Sequence, residues 1–174
     1  EQHITADVAY GVWQYYMVTG DQDYMDRYGY ELLMDTAIFW ASRLEWSEED
    51  RMYHINDVVG PDEYKEHADD NAYTNYMAHW NLGIAITYYE DLKEHHIDIF
   101  ERLNAKMGLD AACRIWRERR PLIYLPQPRK EDLVIPQDAN YLSYPVIDLT
   151  KYKERAEVGS LFKDYNLETV KHMQ

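Results

Sequence analysis

One cysteine, seven glycines and six prolines are all that 174 residues contain of the types that staple or turn a chain. Cys113 has no second cysteine with which to close an internal disulfide, so a disulfide scaffold is excluded and a reducing, cytoplasmic setting is expected. So few glycines and prolines disfavour an all-β fold, which needs tight turns at short intervals. No apolar run approaches the roughly 18–20 residues of a membrane span. The opening EQHITADVAY lacks a basic stretch leading into an apolar core, so no signal peptide is expected. Basic residues are short as well: 18 Lys and Arg against 32 Asp and Glu leave a net charge of −14. Nucleic acid and anionic membranes are poor partners for such a chain, because both are held by Lys and Arg clusters and none occurs here. Phenylalanine is scarce at 3, whereas tyrosine reaches 17 and tryptophan 5. Aromatic rings with a polar handle suit surfaces that are apolar on one side and wet on the other, which describes both sugar clefts and wet helix interfaces.

What is present is mostly helical pattern. ITADVAYGVWQYYMVTGD reads as a helix with Val8, Val12 and Tyr15 or Tyr16 at helical spacing, Thr5 as its cap and Gly20 as its stop. QDYMDRYGYELLMDTAIFWASRL reads as a second, longer helix. Its stripe is Met25, Tyr28, Leu32, Leu33, Thr36, Trp40 and Leu44, and Gly29 weakens it locally. The short TGDQD link makes these helices antiparallel neighbours. LEWSEEDRMYHINDVV then changes period and reads as a hairpin around a polar turn. A third helix starts at Asn71, with Tyr73, Met77, Trp80, Ile84, Tyr88 and Leu92 on one face and Asp69 and Asp70 complementing its dipole. Two more run from about Ile97 to Met107, ending at Gly108, and from about Leu109 to Arg120, stopped by Pro121. Pro121 to Pro145 carries five prolines and no clear period. A segment of that length is usually functional or wraps a neighbour. NLETVKHMQ begins one more helical pattern.

Chemistry concentrates in VVGPDEYKEHADDNAYTNYMAHW, Val58 to Trp80. Asp62, Glu63, Glu66, Asp69 and Asp70 crowd around one Gly-Pro turn, with Tyr64, Tyr73, Tyr76 and Trp80 close behind. One reading is a solvated loop whose acids cap the next helix. The other is a sugar site: a carboxyl held beside aromatic rings is a natural general acid, and glycoside cleavage needs one to protonate the leaving oxygen. Glu63 and His67 are four apart, which matches neither the Glu-x-x-His di-metal spacing nor the zinc-protease motif, so no metal site is expected. Cys113 lies in an amphipathic helix as an inert buried thiol, and no Gly-x-Ser-x-Gly elbow or phosphate-binding glycine loop occurs.

GPDEYKEHADDNAYTNYMAHWN resembles the catalytic segment of glycoside hydrolase family 65, whose members are mostly phosphorylases of maltose, trehalose, kojibiose and related α-glucosides. HITADVAYGVWQYYMVTGD, ELLMDTAIFWASRLEW, RMYHINDVVGPDEY and VIPQDANYLSY also follow that family's order, so the resemblance covers essentially the whole chain. It implies a mainly α fold, part of an (α/α)6 barrel with a short β-hairpin before the catalytic loop, in which residues 1–174 form an incomplete catalytic domain. It also implies inverting phosphorolysis of an α-glucosidic bond to β-glucose 1-phosphate, with Glu63 as the general acid. Asp62, His67, Asn71, Tyr73 and Asn75 match motif positions that line or support the substrate site. Inorganic phosphate is the co-substrate, and no cofactor is implied. A phosphate nucleophile is already anionic, so one acid suffices where an inverting hydrolase needs a paired base.

Lys65 departs from the pattern, standing where many members carry His after the motif's Tyr. The family's upstream Trp-Asp element, its downstream Lys-Gln element and its phosphate-binding loop lie outside these residues. The chain alone is therefore expected to be inert, and the exposed helix faces of a partial barrel favour self-association into a homo-oligomer. Two alternatives remain open: a trehalase-type α-glucoside hydrolase, and a non-catalytic helical module that binds sugar or a partner through its Tyr-rich face.

Overall fold

The computed structural model describes residues 1–63, 65–148, 150 and 173. The elements run α1 (Ile4–Thr19), α2 (Gln22–Tyr24), a π turn (Met25–Gly29), α3 (Tyr30–Arg43), β1 (Glu45–Ser47), β2 (Met52–His54), α4 (Ala72–His95), α5 (Ile97–Met107) and α6 (Leu109–Arg119). The strands pair antiparallel, Trp46 opposite Tyr53. The fold is thus mainly helical with one short hairpin ahead of the acidic loop, as the periodicities indicate. The helical pattern from Asn166 onward lies outside the described residues, apart from Met173.

Helix ends explain part of this order. Gly20 adopts φ 65° and returns its N–H to the Tyr16 carbonyl at 2.8 Å, the left-handed stop expected of glycine. Gly108 does the same between α5 and α6, with φ 68°. Thr5 does not cap α1. The helix begins at Ile4, and His3 stands at the cap position without a capping bond. The His3 ring instead reaches the Val59 carbonyl at 3.2 Å, tying the start of α1 to the acidic loop.

Three expected faces are only partly right. On α1 Val12 is buried but Val8 is 46% exposed, and in the second helical segment Met25, Leu33, Trp40 and Leu44 are buried as expected while other positions are not. In the second helical segment Tyr28 is 58% exposed and Tyr30 is buried. The π turn inserts one extra residue, so the buried line passes from Met25 to Tyr30 and on through Leu33, Met34, Ala37 and Trp40. The Met25 side chain lies over Gly29, where a Cβ would be 2.3 Å from Met25 Sδ. On α4, Tyr88 and Leu92 are buried as expected, but Tyr73 is exposed and Met77, Trp80 and Ile84 are only partly covered. The buried line is Thr74, Asn75, Ala78, Asn81, Leu82 and Ala85. Small side chains let α4 pack closely against its neighbours α3 and α6. The large aromatics are left at the margin, where Trp80 packs against Tyr10 and Trp13 of α1 with ring centroids 5.2 and 5.7 Å apart. Trp40 and Trp116 are fully buried and Cys113 is 1% exposed. Burial pushes the Cys113 thiol up, away from reactivity.

A closed circuit of side chains joins the hairpin, α4 and the chain after α6. Asp70, 6% exposed, takes the His54 Nδ1 at 2.7 Å on one oxygen and the Asn75 amide at 2.9 Å on the other. The Asn75 amide also donates to the Tyr124 carbonyl at 2.9 Å, and the Tyr124 ring stacks on His54 at 5.3 Å. Burial works against a charged His54, but the Asp70 and Asp50 carboxylates outweigh it and raise the His54 pKa above its ordinary 6.5. Asn71 caps α4, its Oδ1 accepting from the Thr74 N–H at 3.1 Å and the Thr74 hydroxyl at 3.0 Å.

The proline-rich chain from Pro121 to Pro145 does wrap back, as its length suggests. The Tyr124 N–H donates to the Tyr53 carbonyl at 2.8 Å beside β2, and the Tyr76 hydroxyl donates to the Pro126 carbonyl at 3.0 Å. Farther on, Ala72 N–H donates to the Gln137 carbonyl at 2.8 Å, so this strap also closes the N-terminal end of α4.

Asn71→Ala removes the cap and should lower stability by about 1–2 kcal/mol, read as a lower urea midpoint at unchanged m-value. A folded His54 that holds its proton more tightly than an unfolded histidine stabilises fully below about pH 6.5. That contribution fades as pH rises through the raised value. Urea midpoints measured between about pH 5.5 and 8.5 should therefore fall more steeply in the wild type than in His54→Gln; identical slopes would show that His54 is not the titrating group.

Candidate active site

The loop from Asp57 to Asn71 closes on itself through a two-way backbone pair, Val58 N–H to Ala68 carbonyl at 3.0 Å and Ala68 N–H to Val58 carbonyl at 2.8 Å. Inside this neck the Gly60-Pro61-Asp62-Glu63 sequence makes a tight turn, the Glu63 N–H donating to the Gly60 carbonyl at 3.2 Å. Proline pre-sets the turn's second position. Gly60 is required by space: a Cβ there would sit 2.5 Å from the Asn71 amide nitrogen. The loop contains several left-handed residues, with φ of 57° at Asp57, 57° at Glu63, 59° at His67 and 50° at Asp70. Asp tolerates that region comparatively well; a glutamate held there costs on the order of 1–3 kcal/mol and persists only where the surroundings enforce it.

Each candidate residue has a definite place. Glu63 and Asp62 are exposed at the tip of the loop. The Asp62 carboxylate accepts from the Gln137 side-chain amide, whereas the Glu63 carboxyl is bonded to none of the described residues. Burial of the acid among aromatic rings, which the sequence argument invoked, is not supplied by the described part of the chain, and Tyr64 lies outside it. His67 is exposed, its Nδ1 2.5 Å from Asp57 Oδ1. Asn71 and Asn75 are buried beneath the loop, at 2% and 0% exposure, where they cap and connect. Tyr73 is 42% exposed on the first turn of α4. Its hydroxyl donates to Asp7 of α1 at 2.7 Å, and that bond pushes its pKa up to about 12, so the phenol remains a proton-bearing donor.

Asp57, Asp69 and Asp70 serve the loop's own structure. Asp69 Oδ1 accepts from the Asp57 N–H at 3.0 Å, and Asp70 belongs to the buried circuit. Among the described residues no group of three or more His, Cys, Asp or Glu converges as a metal site. No described helix is long and apolar enough to cross a membrane.

The residues that sequence reasoning missed lie on the strap. Lys65 Nζ is 2.6 Å from Asp138 Oδ1 and 4.0 Å above the Tyr144 ring. Gln137 and Ala139 bond the loop on either side of that pair. The available signal was the proline-rich segment itself; a pairing across 73 residues leaves no local trace in a single sequence.

Comparison with known proteins places this geometry. The family model for the glycosyl hydrolase family 65 central catalytic domain matches residues 1–174. A kojibiose phosphorylase of Halothermothrix orenii is 45% identical over 175 aligned residues, covering 100% of this chain and 22% of the relative. An α,α-trehalose phosphorylase of Thermoanaerobacter brockii is 34% identical, covering 94% of this chain and 20% of the relative. The chain thus spans about a fifth of the length of the curated relatives it matches. A solved chain from the human microbiome, described provisionally as a kojibiose phosphorylase, superposes with a TM-score of 0.79 at 20% identity, over 97% of this chain and 23% of its own length. That likeness establishes the fold, and a helical layout with one hairpin is consistent with part of an (α/α)6 barrel. A match over every residue, on a chain whose Gly-Pro-Asp-Glu turn stands at the tip of a pinned loop, makes this chain a member of glycosyl hydrolase family 65, within the central catalytic domain.

Proposed function

We propose that this chain is part of the catalytic domain of an inverting α-glucoside phosphorylase and that Glu63 is its general acid. The observation that carries the reading is the state of the Glu63 carboxyl: exposed at the tip of a loop fixed at its neck, and bonded to none of the described residues. A proton donor must be held in place yet free to give its proton to a ligand. The phosphorylase names of the matched relatives support the substrate class. The buried thiol of Cys113 agrees with a reducing, cytoplasmic setting.

In the proposed step, Glu63 transfers its proton to the glycosidic oxygen as the C1–O bond breaks. A phosphate oxygen bonds C1 from the opposite face, giving β-glucose 1-phosphate and the released acceptor. The acid ends as a carboxylate and regains its proton from solvent. Phosphate is a co-substrate, and no cofactor or metal takes part. Asp62, His67 and Tyr73 are assigned to the sugar-facing rim, and Asn71 and Asn75 support it from below. The domain is incomplete in this reading: Val8, Met17 and Val18, exposed along α1, would contact further parts of the barrel or a second copy.

The test uses the full-length enzyme, wild type and Glu63→Gln, with kojibiose, trehalose, nigerose and maltose, each with and without phosphate. Wild type should release glucose 1-phosphate only when phosphate is present, and the variant's kcat should fall by about 10²–10⁴-fold. Free glucose formed equally without phosphate would move the assignment to a hydrolase. A variant that retains full activity would remove Glu63 from the role.

A further inference from the structure

The strap meets the acidic loop at Gln137, Asp138 and Ala139, and these residues grip it on both flanks of Glu63. Gln137 bonds the Asp62 carboxylate, one residue before the acid, and its carbonyl accepts from Ala72 N–H and from the Asn71 amide at 3.3 Å. Asp138 takes the ammonium of Lys65, two residues after the acid, at 2.6 Å. Ala139 N–H donates to the Asp69 carbonyl at 3.0 Å. The ion pair is well covered, with side-chain exposures of 12% for Lys65 and 0% for Asp138. Asp138 Oδ1 also accepts from the Asn140 N–H at 2.8 Å, while Oδ2 is buried with no hydrogen-bond partner among the described residues.

A buried ion pair is a poor device for simply fastening a strap, because apolar side chains of similar volume often stabilise as well or better. What it supplies is a single register. Lys65 has one place to put its charge, between the Asp138 carboxylate and the Tyr144 ring face. That fixes the backbone two residues beyond Glu63, whose φ of 57° has to be enforced from outside. The neck of the loop fixes its base; the strap fixes the tip.

We propose that Asp138, acting through Lys65, is a positioning residue for Glu63: the pair holds the acid's backbone in its left-handed conformation and so aims the carboxyl at the glycosidic oxygen. The inference rests on Glu63 being the general acid, and the experiment separates the two claims. Full-length wild type, Glu63→Gln, Asp138→Asn, Lys65→Met and Lys65→Arg are each assayed with phosphate on the disaccharide and on α-glucosyl fluoride, whose fluoride departs without a proton. Glu63→Gln should lose the disaccharide and keep the fluoride. Asp138→Asn and Lys65→Met should lower kcat on the disaccharide by about 10- to 100-fold, with KM and fluoride turnover within about 3-fold of wild type. Lys65→Arg, which keeps the charge, should restore part of the disaccharide rate. Should Asp138→Asn lose its folded circular-dichroism signal, Lys65→Met carries the same comparison from the less buried partner. Equal losses on both substrates, or no loss on either, would overturn the positioning role while leaving Glu63 in place. Loss of fluoride turnover in Glu63→Gln would overturn the acid assignment and the inference with it.

Discussion

The Asp70 carboxylate, removed from water at the meeting point of the hairpin, the acidic loop and α4, constrains nearly everything around the candidate site. An uncompensated buried carboxylate costs several kcal/mol even after relaxation, so its partners cannot be casual. His54 brings the end of β2, Asn75 brings the second turn of α4, and the Ile55 N–H at 3.4 Å completes the set. Through Asn75 and the ring of His54 the circuit also captures Tyr124, and with it the start of the strap. Three stretches of the chain, at residues 54–55, 70–75 and 124, are thereby oriented around one charge. The loop that emerges from this junction inherits its direction from it.

The crowding of acids around the Gly-Pro turn has a divided explanation. Asp69 and Asp70 are consumed by the loop's internal bonding, and Asp62 is held by the strap. These are structural duties, and they leave the carboxyl of Glu63 facing outward without a bond to the described residues. Asp69 and Asp70 thus have roles in the loop's own structure, and the proposed sugar-site reading rests on Glu63.

What could be read from the sequence followed from local rules. Helix stops at Gly20 and Gly108, the start of a helix at Asn71, the hairpin and the irregular strap all depend on residues within a few positions of one another. Faces were misread where a local rule was overridden. The π turn before Tyr30 shifts the period by one, and on α4 close packing favours Ala78 and Ala85 over the larger Trp80 and Ile84. Glu63 and Asp62 are picked out only by resemblance to a family motif, and their proposed roles rest on that resemblance. Lys65 and Asp138 were not found as a pair, because nothing near either residue specifies the other. Lys65 stood out only as a departure from a family pattern, and the structure gives that departure a partner.

The strap also has a consequence for the order in which the protein is made. Lys65 and Asp138 lie 73 residues apart, so the loop leaves the ribosome well before the segment that holds its tip. At roughly 5–20 residues per second, synthesis of the intervening chain takes about 4–15 s. During that interval α4, α5 and α6 are translated, and the loop tip lacks its contacts with Gln137 and Asp138. The loop tip thus gains its strap contacts only after the helices that follow it have been made, and a nascent chain carries that scaffold before the proposed site can be completed.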